Sequence, residues 1–270
     1  MGAALIAAML TGLATGLGAL PFLFIRELPR RVYDGILGLG AGLMLAAATL
    51  GLLAEALEAT RAPLGAPAHH GALAMIVTGF IIGVAIAAAM DRLIPHRHAS
   101  DHHQHIGHGP GHDHHDREDS DHELRRGYAI IGALAIHRIP EGLAIGAGFE
   151  VGHHDRLGLL LSIAVGLQNA CEGIVMAAPL RRAGANPGRS TALITLTGLA
   201  TPLAALAGNL LAGSATSAMP FILPLAAGTL IYVTSNEIIP ESHSHGHEGT
   251  ASTGVVLGFL LTMILKTILA

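Results

Sequence analysis

Eight apolar runs, each about twenty residues or longer, dictate what this 270-residue chain can become. They cover roughly 2–25, 33–58, 71–94, 128–149, 157–180, 191–213, 219–241 and 251–270. At ~1.5 Å of rise per residue, each run reaches about 30 Å as a helix, the thickness of bilayer hydrocarbon. Inside lipid a backbone must satisfy its own polar groups, so such runs cross as helices. Only 13% of the residues are charged, where a soluble domain carries about a quarter. The expectation is an all-α integral membrane protein, a bundle of eight transmembrane helices. Thirty-five glycines and abundant alanine suit close helix packing. The single Cys171 excludes an intramolecular disulfide. The first run has its arginines after it and none before, so it reads as a retained helix and not as a cleaved signal.

The fifteen Lys and Arg residues set the orientation. With the N-terminus outside, inner loops hold Arg26, Arg30, Arg31, Arg92, Arg97, Arg117, Arg125, Arg126, Arg181, Arg182 and Arg189. The outer side keeps only Arg61, Arg156 and Lys266, and Arg138 lies within a span. Both termini are therefore expected outside. Residues 1–95 would hold the first three spans, 96–126 a disordered cytoplasmic loop, and 127–270 the remaining five.

The fourth run contains His137-Arg138-Ile139-Pro140-Glu141-Gly142 near its middle. Charged side chains at that depth are costly and mark ion pathways or substrate sites. His137 and Glu141 are four apart and share a helix face. Pro140 removes a backbone donor and frees the carbonyl of Ile136, which predicts a kink. The fifth run repeats the device with Gln168-Asn169-Ala170-Cys171-Glu172-Gly173. If the two helices are antiparallel, His137 falls near the depth of Glu172 and Glu141 near that of Gln168. Four oxygen or nitrogen ligands would then converge between two helices. The alternative is a set of buried polar groups that only holds helices together.

Other runs add candidates. Met44, in the second run, is either packing or a soft thioether ligand, and spacing does not choose. The sixth run has a polar break at Gly198-Leu199-Ala200-Thr201-Pro202. The seventh ends in Glu237, Glu241, His243, His245 and His247, read either as metal ligands or as ordinary helix-end charges. Ten of the eighteen histidines lie in the long polar segment between the third and fourth runs: His96, His98, His102, His103, His105, His108, His112, His114, His115 and His122. Imidazoles interleaved with carboxylates suit loosely held Zn²⁺, Ni²⁺ or Cu²⁺, and a solvated linker is the other reading.

With these residues in place the chain resembles the ZIP (Zrt/Irt-like) family of divalent-metal transporters, and within it the bacterial GufA-like branch. H-x-x-P-E-G in the fourth run and E-x-x-P-E-x-H in the seventh carry the resemblance. It implies a transport site made by Met44, His137, Glu141, Gln168 and Glu172. It also implies metal ligands on the way out at Glu237, Glu241, His243 and His247. A homodimer with an elevator-like motion is implied as well, spans one, four, five and six carrying the metal. Many relatives build a second metal position from an Asn, an Asp and a Glu where this chain has Arg138, Asn169 and Thr201. Two acids have become neutral and a cation has appeared, which argues for one metal, with Arg138 in place of a second.

The expected function is movement of Zn²⁺, or of Cd²⁺, Fe²⁺, Mn²⁺ or Ni²⁺, into the cytoplasm across a bacterial plasma membrane. His, carboxylate, amide and thioether form a borderline-soft set that disfavours Mg²⁺ and Ca²⁺. No cofactor, enzyme activity or nucleic-acid partner is expected. A proton-linked carrier or metal sensor is the alternative. An intramembrane metallohydrolase would need a retained metal and a base, and no H-E-x-x-H occurs.

Overall fold

The computed structural model describes residues 1–58, 67–93, 112–151, 156–214 and 219–269. They form long helices in chain order: α1 (Gly2–Leu23), α2 (Arg30–Glu58), α3 (Pro67–Leu93), α4 (His112–Val151), α5 (Arg156–Arg182), α6 (Pro187–Gly213), α7 (Met219–Ser242) and α8 (Glu248–Leu269). No strand occurs among the described residues. All of these helices except α4 are long and apolar enough by composition to cross a membrane. α4 has 40 residues, and its apolar part contains Arg138 and Glu141.

One local expectation changes. The polar segment was read as disordered to residue 126, yet 112–126 are helical and continuous with the apolar run. Adding a turn to an existing helix is far cheaper than nucleating one, so the apolar run templates its polar flank. Residues 94–111, with His96, His98, His102, His103, His105 and His108, lie outside the described residues. Pro140 lies inside this helix. The break in α6, by contrast, falls at Gly198-Leu199, where the sequence places it.

The helices sort into two packed groups. In one, α4 lies on α5 and α6, and α1 on α5 and α6. In the other, α2 lies on α8, α3 lies on α7, and α7 lies on the second half of α2. Within each group the backbones touch. A Cβ at Gly146 would run into the carbonyl of Ala205 on α6, one at Gly42 into that of Val255 on α8, and one at Gly83 into that of Leu225 on α7. Between the groups, α2 meets α5 and α4 meets α7. The approach of α2 to α5 runs through side chains: Gly40 faces the Cβ of Cys171 at 3.6 Å, and Gly51 faces Leu161 at 3.3 Å. Two π-helical turns, Ala47–Leu53 in α2 and Thr234–Ile238 in α7, occur in the second group. Such turns often accompany functional sites.

Candidate functional site

Three side chains of α4 and α5 form a buried knot. The amide nitrogen of Gln168 donates to Glu141 Oε1 at 3.0 Å and to Glu172 Oε1 at 2.6 Å. Glu141 and Gln168 are wholly inaccessible, and Glu172 is 5% exposed. The antiparallel register expected from the i, i+4 spacing thus brings Glu141 to Gln168. The amino group occupies the place that a cation shared by both carboxylates would take. Glu141 Oε2 and Gln168 Oε1 are buried acceptors with no hydrogen-bond partner among the described residues. Buried polar atoms are nearly always paired, so acceptors left over beside two carboxylates are groups that could hold a cation.

Arg138 sits against this knot. Its Nη2 donates to Glu172 Oε2 at 2.9 Å, and the side chain is completely buried. A guanidinium keeps its charge, so at this depth it needs a carboxylate. Asn169 is turned the other way, its amide donating to the Thr11 carbonyl on α1 at 2.9 Å. Thr201 is buried at the break in α6, where its carbonyl lies against Gly142 of α4.

His137 faces out of the first group toward the second. Its Nε2 lies 3.4 Å from Glu237 Oε1 in the π-turn of α7, while Nδ1 is buried without a hydrogen-bond partner among the described residues. Met44 is also buried, and its sulfur is 2.7 Å from the Thr234 hydroxyl, one helical turn before Glu237. One turn beyond Glu237, Glu241 comes within 4.0 Å of His245. His243 is held by Ile239 and Ser242 on one side of its ring and Ser252 on the other. His247 bonds Asp34 of α2 at 3.1 Å.

The predicted residues therefore fall into three places. Glu141, Gln168 and Glu172, with Arg138, touch one another. His137 and Glu237 form a second pair. Glu241, His243 and His247 lie further along α7 and in its exit loop. Among the described residues, no three His, Cys, Asp or Glu side chains are gathered as a finished metal cage.

The model of one protein family, described as ZIP Zinc transporter, matches residues 91–266. The chain belongs to the ZIP family. The match takes in α4 to α8, and with them every site residue named above except Met44 and Asp34. ZIP relatives extend the likeness over the whole chain. The zinc transporter GufA of Myxococcus xanthus is 36% identical over 267 residues, covering 98% of both chains. The zinc transporter ZIPB of Bordetella bronchiseptica is 36% identical across 95% of this chain and 78% of its own. The human zinc transporter ZIP11 is 29% identical across 94% and 93%. This ZIP chain is thus an all-helical, multi-pass membrane protein.

Sequence reading missed several polar contacts that tie these helices together. Asp34 had no visible partner, because His245 and His247 lie more than 200 positions away. Asn236 and Asp91, joined at 2.9 Å, tie α7 to α3 and were equally out of reach. An acid buried within an apolar run was the one available signal for Asp34.

Proposed function

We propose that the protein carries one divalent transition-metal ion at a time, zinc or a close chemical relative, into the cytoplasm through the buried knot between α4 and α5. The supporting observation is the pair of glutamates held by one amide, with acceptor oxygens still unpartnered beside them. Glu141, Gln168, Glu172 and His137 are the ligands of this reading, and Met44 lines the side that faces α7. Glu237, one turn from Glu241, continues the donor set toward the cytoplasmic end of α7. An arriving ion displaces the Gln168 amino group from between the carboxylates, and the amide turns its oxygen toward the metal. The three relatives named above are zinc transporters, which supports zinc as cargo.

Charge supports a single ion. When ionised, Glu141, Glu172 and Glu237 balance one divalent cation and the Arg138 guanidinium. A second divalent ion would leave two positive charges uncompensated in a low dielectric, at several kcal/mol. The resulting picture has eight membrane crossings with both termini outside, in a homodimer, the arginine-rich loops facing the cytoplasm.

Zinc uptake into proteoliposomes tests the reading. Wild-type protein should load the vesicles, and Glu141→Ala or Glu172→Ala should reduce uptake to that of empty liposomes at matched insertion. Substantial uptake by either variant would refute the site.

A further inference from the structure

α2 and α8 start at the same end of the molecule and run side by side. Gly38 of α2 lies against Ala251 of α8, and Gly42, one turn on, against Val255. A Cβ at Gly254 would strike the carbonyl of Gly35 in return, so the two backbones touch. Beside this glycine seam a groove of about 700 Å³ opens to the surface. Its walls change character with depth. Arg31 and Glu248 stand at the mouth, before the apolar runs begin, whereas Ile36, Leu39 and Leu257 lie further along the two helices. From Arg31 to Leu39 is about 12 Å of helix at ~1.5 Å per residue, roughly two turns into the span.

The mouth carries charges of both signs. Arg31 Nε donates to the Thr250 hydroxyl at 3.2 Å, which holds an exposed guanidinium over the first turn of α8. The amides of Thr250 and Ala251 turn back to the His247 carbonyl at 2.9 and 3.1 Å. Those of Glu248 and Gly249 stand at the very start of α8, where a helix has no carbonyl of its own to offer them. A guanidinium fork beside the positive end of a helix suits a phosphate. Glu248 is exposed at the same mouth and suits a cation. Gly249 has nothing within 4 Å of the Cβ it lacks, so the space above this turn is open.

We propose that the groove holds one membrane phospholipid with a phosphoethanolamine headgroup. The phosphate rests on Arg31 and the first amides of α8, the ammonium on Glu248, and an acyl chain follows Ile36, Leu39 and Leu257 into the span. A polar mouth above an apolar wall, at the end of two membrane helices, matches an amphiphile in both its parts. Charge then selects the headgroup. A glycerol headgroup brings the negative phosphate without a cation for Glu248, and is repelled by it. A choline headgroup brings a cation with no N–H, so it forgoes the charge-assisted hydrogen bond. The bound lipid ties α2 to α8, whether or not the chain carries metal.

Native mass spectrometry of the full-length protein in detergent tests this. The probes are three phospholipids with the same acyl chains and ethanolamine, choline or glycerol headgroups, added to delipidated protein. The ethanolamine lipid should fill one site per chain at about a tenth of the concentration that the other two need. Arg31→Ala should raise its half-occupancy concentration about tenfold or more, and Arg31→Lys should recover part of the shift. Glu248→Gln should erase the preference for ethanolamine over choline and leave binding of the choline lipid unchanged. Gly249→Leu places a side chain in open space, so it should block the groove without lowering the melting temperature in lipid-free detergent. Equal filling by the three lipids overturns the proposal, as does tighter binding of the glycerol lipid. Binding of the ethanolamine lipid that both Arg31→Ala and Gly249→Leu leave unchanged puts it elsewhere on the protein and overturns the proposal too.

Discussion

Arg138 is the residue whose loss should be felt first. It is fully buried and bonded to Glu172, so Arg138→Ala strands two carboxylates in a low dielectric with only amide donors. Breaking a buried pair from one side typically costs about 3–5 kcal/mol. The variant should melt earlier than wild type in metal-free buffer, and Zn²⁺ should restore more of its stability than it adds to wild type. A thermal scan with and without Zn²⁺ reads both, and equal zinc shifts in the two proteins would count against the charge argument. The companion change Arg138→Asn, Asn169→Asp and Thr201→Glu should raise the stoichiometry of transmembrane metal from one to two. Measurement belongs on protein lacking the histidine-rich segment. This part of the molecule was readable in advance, because i, i+4 spacing and antiparallel counting place Glu141, Gln168 and Glu172 by helix geometry alone. Asp34 was not readable, since its partners arrive through the fold.

At the scale of the element, glycine decides how near two helices come. Gly146→Val should push α4 off Ala205 of α6 and cost the packing on which the Glu141 face depends. Gly132, on the same helix, has open space around its missing Cβ, so Gly132→Ala should be neutral or stabilising by about 0.5–1 kcal/mol. Retention on a sizing column and melting temperature compare the pair, and similar behaviour of both variants would refute the packing account. The helices other than α4 were legible to within a few residues from apolar length. The π-turns at Ala47–Leu53 and Thr234–Ile238 were not, because they answer to contacts such as Thr234 with Met44 that no periodicity records. Nor was the helical flank at 112–126, whose composition alone reads as coil.

For the whole molecule, the division into two groups predicts motion. Inside each group backbones lie against one another, whereas α2 and α5 meet through side chains, as at Gly40 and Leu161. Gly40→Cys would stand with its Cβ 3.6 Å from that of the native Cys171, within the range a disulfide spans. Oxidation of this variant should lock α2 to α5 and stop uptake, and a reducing agent should restore it. Undiminished uptake by the fully cross-linked protein would show that the groups need not shift. The charge around the knot would also have an electrical meaning under the transport reading. Glu141, Glu172 and Arg138 belong to the first group and Glu237 to the second, so a first group that moves alone would cross with a net charge of +1 when it carries a divalent ion and return with −1 when empty. The membrane potential then acts on the return step, at roughly 2.3 kcal/mol per charge per 100 mV for a full crossing. Vesicles clamped inside-negative by a potassium gradient and valinomycin should take up zinc faster than vesicles held at zero potential. A rate indifferent to voltage would refute this charge balance.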